Sequence, residues 1–78
     1  MRLTKELKRE LVTTMIVHDT QENNRKYTTI KEKYQCGIIY YMEAYIRLFE
    51  LVNKNSSQQV YKLSPTQFDT VVKEYLNV

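Results

Sequence analysis

Residues 34–52, YQCGIIYYMEAYIRLFELV, hold fourteen apolar or aromatic side chains in nineteen positions, and only Glu43, Arg47 and Glu50 carry charge. Wound as a helix, the region shows two apolar stripes. Ile30, Tyr34, Ile38, Tyr41, Tyr45, Leu48 and Val52 form the first, and Ile39, Met42, Ile46 and Phe49 the second. A surface helix of a globular protein carries one apolar stripe roughly 100° wide. A chain of 78 residues has little left with which to cover the second, so the segment predicts self-association or a partner protein. The ladder Glu43, Arg47, Glu50, spaced i,i+4 and i,i+3, marks the strip left to water.

On either side the chain also reads as helix. Leu3, Leu7, Leu11 and Met15 recur every four residues, Val12 and Ile16 widen the stripe, and Lys5, Glu6, Lys8, Arg9 and Glu10 take the outer face. That periodicity predicts an amphipathic helix over about 4–18, with Thr4 as its N-cap. Residues 18–26, HDTQENNRK, contain no apolar side chain and read as a polar loop. Thr29-Ile30-Lys31-Glu32 has the form of a capping box, in which Thr accepts the third helical amide and Glu reaches back to the cap amide. It opens a long central helix over about 30–53. Gly37 is the weak point within it, costing roughly 1 kcal/mol against Ala, and marks a bend, a restart or a close backbone crossing.

After the polar linker NKNSSQQ, residues 53–59, Val60-Tyr61-Lys62-Leu63 alternates like a short strand. Ser64-Pro65-Thr66-Gln67 then supplies an N-cap, a proline at the first helical position and a glutamine to complete the capping box. A helix over 65–76 follows, with Phe68, Val71, Val72, Tyr75 and Leu76 on one face. A single glycine and a single proline leave few tight turns, which argues against a β-sandwich or barrel. The expected fold is all-α: one small three-helix domain over 1–78 with a long central helix, a minor two-stranded β pairing between 26–29 and 60–63, and assembly as a dimer.

The run from Val60 to Asp69 resembles the short strand, capped turn and first helix that open the winged helix-turn-helix of response-regulator effector domains. No recognition helix or wing is expected in the residues after it, so the resemblance implies good capping and carries no function across.

Chemistry finds few candidates. His18 is the only histidine and Cys36 the only cysteine, and they fall on different predicted helices. A Cys–His nucleophile pair needs contact within about 3 Å and a third group to orient the base. The plainer reading makes His18 the cationic end of the first helix and Cys36 a small core residue. A lone cysteine forms no intramolecular disulfide, and one glycine cannot make a phosphate loop. His18, Asp19 and Glu22 read as an exposed loop rather than a metal site. The expectation is a non-enzyme without cofactor or metal.

The N-terminus is charged throughout its first ten residues and lacks the apolar core of a signal peptide. Glu43, Arg47 and Glu50 would be costly in a membrane, so a cytoplasmic protein is expected. The net charge of +3 sits in residues 1–35, where eight Lys/Arg face five Asp/Glu; residues 36–78 are balanced at four each. Arg25, Lys26, Tyr27, Lys31 and Lys33 interleave cations with an aromatic, a pattern that tracks phosphates and stacks bases. Tyrosines along the central helix suit a protein interface.

The leading expectation is a small regulatory or inhibitory protein acting by protein–protein contact. Its interface is Ile39, Met42, Tyr45, Ile46 and Phe49, and its partner a second copy or a host protein. Small size and a composition rich in Lys, Asn, Tyr and Ile suggest a phage or mobile-element accessory protein that blocks a host enzyme or defence complex, placing it in the host cytoplasm. The alternative is a small basic nucleic-acid-binding regulator.

Overall fold

Three side-chain caps start three of the helices. Thr4 Oγ1 accepts from the amide of Leu7 at 3.1 Å, and Thr29–Glu32 and Ser64–Gln67 form reciprocal capping boxes. In the computed structural model, which describes residues 2–23, 29–56 and 60–77, the helices that result are α1 (Lys5–Asn23), α2 (Ile30–Gln35), α3 (Tyr41–Asn55) and α4 (Pro65–Leu76). The fold is all-α, a helical bundle in which α1 packs on both α3 and α4, and α2 bridges α3 and α4.

The long central helix of the sequence reading is divided. Gly37 adopts φ +78°, a left-handed conformation that costs an L-residue about 1–2 kcal/mol and a glycine almost nothing. Around it the Gly37 amide donates to the carbonyl of Tyr34 at 3.1 Å and the Ile38 amide to that of Lys33 at 2.8 Å. These are the two hydrogen bonds of a Schellman motif. Gly37 therefore ends α2, and residues 36–40 turn the chain before α3 begins at Tyr41.

The turn also reassigns the apolar stripes. A continuous helix would put Ile38 on the core face and Ile39 on the free face. Instead Ile39 is buried at 7% exposure and Ile38 stands out at 66%. Cys36, expected in the core, is exposed at the end of α2.

Two further expectations change. The first helix does not stop at His18 but runs to Asn23. Residues 18–23 look like loop because they are polar, yet Asp19 stands four residues after Met15 and continues the stripe Leu7, Leu11, Met15 into the core. Ile16, expected to widen that stripe, is exposed. The β pairing is not seen: Val60–Lys62 is a 3-10 turn, no strand occurs among the described residues, and residues 26–28 lie outside them.

The core gathers Leu11 and Met15 of α1, Ile30 of α2, Ala44, Leu48, Leu51 and Val52 of α3, and Phe68, Val71, Val72, Tyr75 and Leu76 of α4. Ile39, Val60 and Leu63 close it from the connections. Each large side chain fully buried there contributes about 1.5–3 kcal/mol.

One carboxylate lies inside this core. Asp19 has no solvent exposure. Its Oδ1 accepts from the Ile30 amide at 2.9 Å, and its Oδ2 from the Lys31 amide at 3.3 Å and the Tyr75 hydroxyl at 2.6 Å. It thereby fastens the first turn of α2 to α1 and α4. Lys31 Nζ lies 5.4 Å from the centre of the Tyr75 ring, within cation–π range.

Candidate partner-binding face

The exposed apolar residues of α3 lie away from its buried residues Ala44, Leu48, Leu51 and Val52. Met42 and Ile46, one turn apart, are 64% and 51% exposed. The connection before α3 adds Ile38 and Tyr40, the latter 85% exposed. Of the five residues expected at a partner interface, Met42 and Ile46 are thus open to solvent. Tyr45 and Phe49 are half-buried, and Ile39 belongs to the core for the reason given above.

Tyr45 and Phe49 form the floor rather than the rim. Both meet Phe68 of α4 edge-on, with centroid distances of 5.4 Å and 5.2 Å and interplanar angles of 86° and 77°. Tyr45 also neighbours Tyr41 at 6.4 Å, and Tyr41 meets Tyr34 at 6.0 Å. Such ring pairs add roughly 0.5–1.5 kcal/mol beyond area burial, so this face is stiff beneath Met42 and Ile46.

Beside Met42 the surface dips into an open groove of about 320 Å³ between α3 and the start of α4, lined by Tyr41, Met42, Tyr45, Pro65, Thr66 and Asp69. Its polar groups are ordered. The Tyr45 hydroxyl donates to the Pro65 carbonyl at 3.3 Å. The Tyr41 hydroxyl donates to Asp69 Oδ1, while Lys73 Nζ lies 3.1 Å from Asp69 Oδ2. The hydrogen bond from Tyr41, followed by that from Lys73, holds the Asp69 carboxyl below its ordinary value. Burial, followed by the hydrogen bond to Asp69, makes the Tyr41 phenol a much weaker acid than usual. Burial and the Asp69 charge push Tyr45 the same way. Flanking the apolar edge of α3, Glu43 and Arg47 pair at 2.6 Å.

Of the residues expected to touch nucleic acid, only Lys31 and Lys33 fall among the described residues. Arg25, Lys26 and Tyr27 lie outside the described residues. Lys31 rests on the Tyr75 ring, and Lys33 is half-buried in α2. A different basic surface is present. Lys5, Lys8 and Arg9 line a depression of about 280 Å³ with Val12, Thr13 and Glu74, and Lys8 pairs with Glu74 at 3.0 Å.

Asp19, expected in an exposed loop, is instead a buried helical carboxylate, and Asp69 is a second ordered carboxylate to which the sequence assigns no role. Each has a local signal. Asp19 continues an i,i+4 apolar series, and Asp69 precedes Lys73 by four residues on a helix whose start is clearly marked. Among the described residues no three His, Cys, Asp or Glu side chains gather as metal ligands, and no helix is long and apolar enough to cross a membrane. In comparisons with family models, curated proteins and solved structures, the chain matches none.

Proposed function

We propose that this protein is a non-enzymatic regulator or inhibitor acting by protein–protein contact through the outer edge of α3, with Met42 and Ile46 as anchors. The exposure of these two side chains above a rigid aromatic floor carries the reading. Contiguous apolar surface on a small protein marks an interaction site more often than chance, and anchors seated on pre-ordered neighbours lose little entropy on binding. The partner is a second copy of the chain, giving a dimer, or a host protein. A compact chain rich in Lys, Asn, Tyr and Ile fits a phage or mobile-element accessory protein that blocks a host enzyme or defence complex in the cytoplasm.

The test is sedimentation and partner capture with wild type and with Met42→Glu and Ile46→Glu. Both positions are exposed, so the fold is expected to survive. Loss of the dimer or of the captured partner by either substitution supports the reading. A wild type that sediments as a monomer and captures nothing sinks it.

A second reading, a nucleic-acid-binding regulator, draws on the segregation of charge along α1. Lys5, Lys8 and Arg9 fall on the flank beside α4, whereas Glu6 and Glu10 fall on the other. On that reading duplex DNA binds at low salt, binding weakens steeply as salt is raised, and Lys5→Ala with Arg9→Ala abolishes it. No binding at low salt removes it.

A further inference from the structure

We propose that the groove between α3 and the start of α4 receives a basic side chain, arginine in preference to lysine, presented by a partner protein other than a second copy of this chain. The inference rests on the contact reading above and names the chemistry that the contact recognises.

The groove is built for a cation with an apolar stem. Tyr41, Met42, Tyr45, Pro65 and Thr66 line it, and its charged member is Asp69. Aromatic faces attract a cation within about 6 Å of the ring centre. A carboxylate beside them adds direct hydrogen bonding, and two of its roughly four acceptor positions are used by Tyr41 and Lys73. Among the described residues the groove lining holds no cationic side chain, the nearest being Lys73 on the far side of Asp69 Oδ2. At about 320 Å³ it lies at the lower limit of the ~300–1,000 Å³ typical of small-molecule pockets. That volume suits one long side chain better than a cofactor.

The negative potential also acts on the phenols. The charge of Asp69 contributes to the raised pKa of both Tyr41 and Tyr45, as expected where a cation would be welcome. Arginine is favoured over lysine because a planar, weakly hydrated guanidinium stacks on a ring while bonding a carboxylate in two places. Residues flanking the arginine would then lie over Met42 and Ile46, which continue the apolar wall outward. Lys73 approaches Asp69 from one turn further along α4 and is half-exposed. The incoming guanidinium replaces it, so Lys73 is a competitor that tunes the affinity.

An NMR titration tests this without any partner. The probes are N-acetyl-arginine N-methylamide and its uncharged counterpart N-acetyl-citrulline N-methylamide. Shifts at Tyr41, Met42, Tyr45, Thr66 and Asp69 are expected, with arginine binding about fivefold more tightly than citrulline, an amount equal to ~1 kcal/mol. Asp69→Asn, which preserves shape and an acceptor for Tyr41, should remove that preference. Lys73→Gln, on the exposed side of α4, should tighten arginine binding two- to threefold, roughly the range of a surface ion pair.

Equal shifts with citrulline, an Asp69→Asn protein that still prefers arginine, or shifts centred elsewhere would overturn the proposal. Concentration-dependent shifts of the groove residues without probe would place a second copy there and overturn it as well. Because the probe needs no partner, a failure here is separate from a failure of the association test on Met42 and Ile46.

Discussion

Two aspartate–tyrosine pairs occur in this molecule, with the same bond in opposite surroundings. Asp19 accepts from Tyr75 at 2.6 Å with both side chains buried. Asp69 accepts from Tyr41 at the rim of an open groove. Around Asp19 both oxygens accept from internal donors, two of them backbone amides of another helix. Around Asp69 the second oxygen faces a half-exposed lysine. A buried charge persists only where its hydrogen bonds are complete, because an unpaired polar group in the core costs far more than one in water. The first pair is thereby a structural join, and the second is a surface whose partners can be exchanged.

The widest separation between the two is expected on deleting the carboxylates. Asp19→Ala leaves two amides and a phenol buried without an acceptor, at about 1–3 kcal/mol each. A domain of this size has little more stability than that sum, so the variant should be largely unfolded by circular dichroism. Asp69→Ala should unfold within about 1 kcal/mol of wild type, since water takes the place of the carboxylate. A folded Asp19→Ala protein with a near-native urea midpoint would break the comparison.

Removing the hydroxyls gives a smaller contrast. Tyr75→Phe should lower stability by about 1.5–3 kcal/mol, the range for a hydrogen bond to a charged group, and Tyr41→Phe by less than about 1 kcal/mol. Equal shifts of the urea midpoint would show that burial is not what distinguishes the pairs.

Titration gives the smallest effect, with opposite signs for the buried phenol of one pair and the exposed carboxylate of the other. Burial and the hydrogen bond to Asp19 hold the Tyr75 proton above the ordinary phenol value of 10.0. A folded-state pKa raised in this way contributes stability that is complete below the unfolded value and is lost as pH climbs past it. Stability should therefore fall above pH 10, and Tyr75→Phe should flatten that decline. Asp69 is depressed instead. Its contribution is present above its unfolded value of 3.8 and fades as pH drops below that, so Asp69→Asn should flatten the acid limb. Urea midpoints measured across pH would check both signs.

What could be read from the sequence was local. Both capping boxes, the Thr4 cap, the face of α4 and the stripe Leu7, Leu11, Met15 follow from residues three or four apart, and all appear where expected. Gly37 shows the limit of that reading. Its position was plain, but a helical glycine and a helix-ending glycine are the same letter. The choice between them depends on which carbonyls its neighbours reach. The exchange of Ile38 and Ile39 follows from that one choice. Asp19 was hidden for another reason: its partners are 11 and 56 residues away, and an apolar count along the chain stops at the first charge. For the face of α3, the excess of apolar residues was legible. The half of that excess that stayed inside the chain was settled by Phe68 on another helix.

The cap that Asp19 provides has a consequence for local opening. Six residues make too short a helix to persist in water, because the first turn costs more order than its single bond returns. Helix α2 therefore exists as a dependant of α1 and α4, the two elements nearest the ends of the chain. Its amides at Ile30 and Lys31, held by Asp19 of α1, should exchange with solvent only when α2 parts from α1, which amide hydrogen exchange would check.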